Sequence, residues 1–180
     1  MKLDTVIHGN YDINIYIGDP SIDPNPINIT FLYRNLNREE DISIYFYSKC
    51  VDNFKTTDSI LCIDCNLKSK YITEIDIVTH CLLNKNHNEN KYNVTRSIDG
   101  LPTFKIKEFL YSDSDNYLKS KFLGYNLYGN NLEIQFTKND IVYSVKANEH
   151  LEFLFDNNNE LKSIILILSD VDTQNLRLWF

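Results

Sequence analysis

The sequence predicts a mainly β protein, an antiparallel meander or sandwich-like sheet forming one domain over residues 1–180, and three observations carry that reading. Apolar residues recur at every second position through most of the chain, the spacing of strands with one covered face. Isoleucine and tyrosine, both strand formers, are abundant, whereas Ala147 is the only alanine, so the best helix former is almost missing. Strand-like segments follow one another through short polar connections, which makes neighbours antiparallel.

Taken in order, Tyr11, Ile13, Ile15 and Ile17 share one face of a first strand, and Ile27, Ile29, Phe31 and Tyr33 share one face of the next. Between them Pro20, Pro24 and Pro26 exclude ladder hydrogen bonding and mark a rigid loop. Ile42, Ile44 and Phe46 line a third strand, with Tyr45 and Tyr47 opposite; Ser59–Asp64 and Tyr71–Val78 continue the pattern. The Asn-rich stretch from Asn84 to Lys91 is a loop. One short helix is expected at about 113–123, capped by Ser112, Asp113 or Ser114 and closed by Gly124.

The C-terminal third is the most regular. Leu132, Ile134 and Phe136 alternate with Glu133, Gln135 and Thr137, and Ile141, Tyr143 and Val145 follow. His150–Phe155 and Leu161–Leu168 flank a hairpin loop, Asp156-Asn157-Asn158-Asn159-Glu160. Both faces of 162–168 are apolar, so this strand is expected at the centre of its sheet, covered on both sides. Leu176, Leu178 and Phe180 read as a last strand. No internal repeat is visible.

Composition narrows function by exclusion. A chain of 180 residues with 43% hydrophobic content buries a sufficient core without disulfides or metal. A net charge of -7 with no basic cluster argues against nucleic acid, where lysine and arginine must neutralise phosphates. The same charge keeps a protein soluble or steers it onto a basic protein partner. The run Ile164–Leu168 is far shorter than a bilayer span, and the segment around Asp4 lacks the apolar stretch of a secretory leader. The expectation is a cytoplasmic protein whose cysteines at positions 50, 62, 65 and 81 are reduced.

Few residues point to chemistry. Cys62 and Cys65, with His80 and Cys81 further on, have ligand types from which a tetrahedral zinc site could be built. Against that, a continuous strand through Ser59–Asp64 would not turn between the first two thiols, and buried cysteines commonly just fill space. Carboxylates pair at Asp113/Asp115, at Asp170/Asp172 and in Glu39-Glu40-Asp41, positions equally suited to capping and solvation. There is no glycine-rich phosphate loop and no G-x-S-x-G elbow. Tyr16, Tyr45, Tyr47, Tyr125 and Tyr128 stand opposite the apolar faces or beside turns, as binding surface or as cover for a second core.

The hairpin Leu151-Glu152-Phe153-Leu154-Phe155, Asp156–Glu160 and Leu161-Lys162-Ser163-Ile164-Ile165-Leu166 is similar to hairpins that close small β-rich immunity proteins, which bacteria pair with secreted toxins. The resemblance implies a non-enzymatic protein, without cofactor or catalytic residues, that blocks a basic toxin domain through complementary charge. Glu39, Glu40, Asp41, Asp113 and Asp115 are the expected partner surface. Two other readings stay open: a structural or assembly protein of a phage or mobile element, and an enzyme whose site is assembled from distant strands.

Overall fold

The computed structural model describes residues 1–9, 11–18, 21–22, 27–33, 41–52, 55–78, 92, 94–105, 117–121, 123–137 and 140–178, with side chains for all of these except 47–52, 55–59 and 117–121. The strands are β1 (Leu3–Ile7), β2 (Tyr11–Ile17), β3 (Ile27–Tyr33), β4 (Asp41–Asp52), β5 (Lys55–Asn66), β6 (Ile72–Val78) and β7 (Arg96–Asp99). They continue with β8 (Leu101–Phe104), β9 (Tyr117–Lys121), β10 (Gly124–Tyr128), β11 (Asn131–Gln135), β12 (Tyr143–Lys146), β13 (Leu151–Phe155) and β14 (Leu161–Ile167), and α1 (Asp170–Arg177) follows. Among the described residues the protein is mainly β with one short helix.

The strands form two six-stranded sheets, β2-β3-β6-β5-β4-β9 and β10-β11-β14-β13-β12-β7, and a ribbon of β1 with β8. Alternation dictates what each sheet buries. In the first sheet Ile17, Ile27, Ile77, Leu61 and Phe46 lie in one cross-strand row, and Ile15, Ile29, Ile75, Ile63 and Ile44 in the next. In the second, Tyr125, Ile134, Ile164, Phe153 and Val145 make a row beside Leu127, Leu132, Leu166 and Leu151. The two inner faces share one hydrophobic core, which also takes in Leu3, Leu101 and Phe104 of the ribbon. Phe46 and Phe136 meet across it edge to face at 5.1 Å.

The two sheets have the same topology. Each begins with a hairpin (β2-β3; β10-β11), whose second strand pairs with the last strand of a three-strand meander (β6-β5-β4; β14-β13-β12), and each ends on a parallel strand. Those parallel strands are exchanged: β7, which follows the first unit, completes the second sheet, and β9, which precedes the second unit, completes the first. The likeness of the two sheets does not show in the sequence because alternation, not residue identity, specifies a strand.

Two expectations are corrected. Tyr117–Lys121, read as part of a helix over 113–123, is strand β9, paired in parallel with Ser43–Tyr47 of β4; a full ladder of main-chain bonds outweighs a weak helical spacing. The short helix lies instead at 170–177, where a last strand was expected. Ser169 caps it by accepting from the Asp172 amide at 3.1 Å, Asp170 and Asp172 sit at its positive end, Arg177 in its last turn, and Leu176 is buried. The sandwich-like arrangement of largely antiparallel sheets stands, with the parallel pairs β4/β9 and β12/β7 at the sheet ends. The expected hairpin over 151–166 forms, and β14 lies inside its sheet between β11 and β13.

Candidate functional site

Among the described side chains, the outward face of β2, β3, β6, β5 and β4 concentrates charge of one sign. Alternation that sends isoleucines inward sends Tyr16, Asn28, Asp76, Cys62 and Tyr45 outward in one row, and Asn14, Thr30, Glu74, Asp64 and Ser43 in the next. Asp12 and Asp41 extend the same face at its margins. Five carboxylates therefore share it, and the described side chains of these five strands include no lysine or arginine. Asp64 and Glu74 are direct cross-strand partners, an arrangement that costs stability. Asn28 offsets part of that cost, its Nδ2 donating to Glu74 Oε1 at 2.6 Å and to Asp76 Oδ1 at 2.7 Å, while Thr30 donates to Asn28 Oδ1 at 2.8 Å. Asp41 accepts from Asn66 Nδ2 at 2.9 Å.

The two cysteines of β5 occupy opposite faces. Cys62 shares the outer face with Tyr45, and Cys65 is enclosed in the core beside Ile42. The two thiols therefore stand on opposite sides of β5, and His80 and Cys81 lie outside the described residues. The Cys62 thiol donates to Asp64 Oδ1 at 3.4 Å. Burial first, and then the Asp64 carboxylate, push its pKa up to about 12, and burial drives Cys65 higher still. Both shifts disfavour the thiolate, the reactive form of a cysteine.

A second polar cluster lies on the far face of the other sheet. Glu133 is 0% exposed, as are Ser144 and Ser163. Its Oε1 accepts from the Ser163 hydroxyl at 2.7 Å and from the Tyr92 hydroxyl, and its Oε2 from Asn126 Nδ2 at 3.2 Å. This satisfied network ties Tyr92 to three strands. Two furrows border the edge of β2, one of about 480 Å3 between His8, Tyr11, Asp99 and Lys146, the other of about 600 Å3 between Ile13–Tyr16 and the wall formed by His150 and Asp172.

Of the expected partner residues, Asp41 falls on the acidic face, whereas Glu39, Glu40, Asp113 and Asp115 lie outside the described residues. The structure adds Asp12, Asp64, Glu74 and Asp76, which were legible as the polar positions of the alternating strands Tyr11–Ile17, Ile63–Cys65 and Ile72–Ile77. Tyr16 is exposed and Tyr45 half-buried, but Tyr125 and Tyr128 are buried, so those two rings are core and not binding surface. No protein-family model matches the chain, and no curated protein matches it in sequence.

Proposed function

We propose that this protein is a non-enzymatic binder of the immunity type, which blocks a basic toxin domain by docking it on the acidic outer face of β2, β3, β6, β5 and β4. The observation that carries the reading is the Asp64–Glu74 cross-strand pair, with Asp76, Asp12 and Asp41 around it. Same-sign neighbours on adjacent strands repel one another, and a cationic partner would be attracted to the face that carries them. The net charge of -7 adds long-range attraction that raises the association rate and weakens with salt.

The test is capture of partners by the tagged protein from its native cell at low and high salt, with a parallel capture by the triple variant Asp64→Asn, Glu74→Gln, Asp76→Asn. One stoichiometric basic protein should be retained by the wild type, partly released by salt and lost by the variant. Retention of no foreign protein, or equal retention by both forms, overturns the proposal.

A further inference from the structure

Four strands end the two large sheets, and three of them are short or charged. β7 has 4 residues, including Arg96 and Asp99; β9 has 5, two of them Lys119 and Lys121; β10 has 5 and opens on Gly124. Brevity and lysine are two usual means of keeping a sheet edge from recruiting another strand, and glycine weakens β10 as a strand. β2 has none of them. It runs 7 residues, with three isoleucines and two tyrosines, and Asp12 is its single charge. Among the described residues no strand pairs with β2 on the side away from β3. Ile13, Asn14, Ile15 and Tyr16 all line the furrow of about 600 Å3. Consecutive residues of a strand point to alternate faces, so that furrow follows the strand edge, with His150, Ser169 and Asp172 on its opposite wall.

The sequence of β2 is also self-complementary. Set antiparallel to its own copy about Asn14, it places Ile13 opposite Ile15 on the inner face, Asn14 opposite Asn14, and Asp12 opposite Tyr16 on the outer face. Apolar residues meet apolar residues, an aromatic ring and not a second carboxylate faces the only charge, and the centre is an uncharged amide that can hydrogen-bond to itself. We infer that β2 pairs with β2 of a second copy of this chain, joining two six-stranded sheets edge to edge about a twofold axis through Asn14. The joined sheet leaves Asp64, Glu74 and Asp76 of both copies facing outward on one continuous face. The inference is independent of what docks there.

Sedimentation velocity of the purified full chain over a wide concentration range tests it, with Asn14→Lys and Asn14→Asp alongside. Asn14 is exposed, and circular dichroism confirms that each variant folds. The wild type should shift from monomer to dimer as concentration rises, with amide exchange of Asp12–Tyr16 slowing in step. Each variant alone sets like charges opposite one another at the axis and should dimerise several-fold more weakly. An equimolar mixture of the two should recover dimer as a lysine–aspartate heterodimer. A wild type that stays monomeric overturns the inference and leaves the edge to an extended segment of another protein. Dimers that ignore both substitutions place the contact elsewhere, and a mixture that fails to recover overturns the register.

Discussion

Lys162 Nζ lies 2.9 Å from Asp156 Oδ2 with its side chain 1% exposed, a buried ion pair across the foot of the β13–β14 hairpin. Asp156 also accepts from the amides of Asn158 and Glu160 at 2.8 and 2.9 Å, so one carboxylate organises the loop and anchors the cation. Glu160 Oε2 adds a second contact to Lys162 at 2.8 Å. Replacing Lys162 with methionine leaves Asp156 without its cation and should cost about 3 kcal/mol, read from urea unfolding.

The pair also sets two limits of pH. Burial would raise the Asp156 pKa, but the Glu160 amide, Lys162 and the Asn158 amide together hold it below the ordinary carboxylate value. Its contribution is therefore complete above the unfolded pKa and lost as pH falls through the lower folded value. Burial would lower the Lys162 pKa, but Glu160 and Asp156 raise it above the ordinary lysine value. That contribution is complete below the unfolded lysine pKa and lost as pH rises through the folded one. Unfolding free energy should thus decline at both extremes, and Lys162→Met should flatten the alkaline limb.

Asp64→Asn should stabilise the isolated protein by roughly 0.5 kcal/mol, because it removes the like-charge contact with Glu74 across β5 and β6. Denaturant titration in low salt should show the gain, and added salt should shrink it. A loss of stability would mean that the Asp64 carboxylate is held by favourable contacts that outweigh its repulsion.

Gly100 joins β7 to β8 at φ +140°, and a Cβ there would come within 2.6 Å of both the Ile7 carbonyl oxygen and Val6 Cγ1. Gly100→Ala should cost about 3 kcal/mol, combining backbone strain with displacement of β1. Gly129, at φ +56° with open space around it, should tolerate alanine at a cost of about 1 kcal/mol. Thermal unfolding of the two variants separates steric from conformational cost.

Native alkylation at mildly alkaline pH should label Cys62 far more slowly than the unfolded chain, and Cys65 more slowly still. The thiolate is the nucleophile, and a pKa pushed up to about 12 leaves almost none of it at Cys62. Peptide mapping by mass spectrometry follows each site separately. Rapid labelling of Cys62 would contradict the burial described for it.

Period-two alternation made most strands legible because each sheet has a core-facing side that needs isoleucine or phenylalanine at every second residue. It also encoded the acidic face, since Asp64, Glu74 and Asp76 are the outward positions of that pattern. Pairing partners were not legible. Tyr117–Lys121 is too short to reveal that Ser43–Tyr47 lies parallel beside it, and Leu176 at spacing two from Leu178 imitates a strand until the Ser169 cap is seen. Glu133 shows a different limit. Its alternation with Leu132 and Ile134 marks a solvated face, yet Tyr92, Ser163 and Asn126 enclose its carboxylate. Long-range burial of that kind leaves no local signal.

The exchange of β7 and β9 between two like-built sheets bears on how the chain can be divided. A cut within 106–116 would yield one fragment holding a strand that belongs to the second sheet, and another holding a strand that belongs to the first. Neither piece contains a finished sheet, and each carries what the other lacks, while the β1–β8 ribbon stays whole in the first piece. Expressed together, the two pieces are built to recombine without a covalent link, so this fold is a natural split pair and its halves are poor candidates for independent modules.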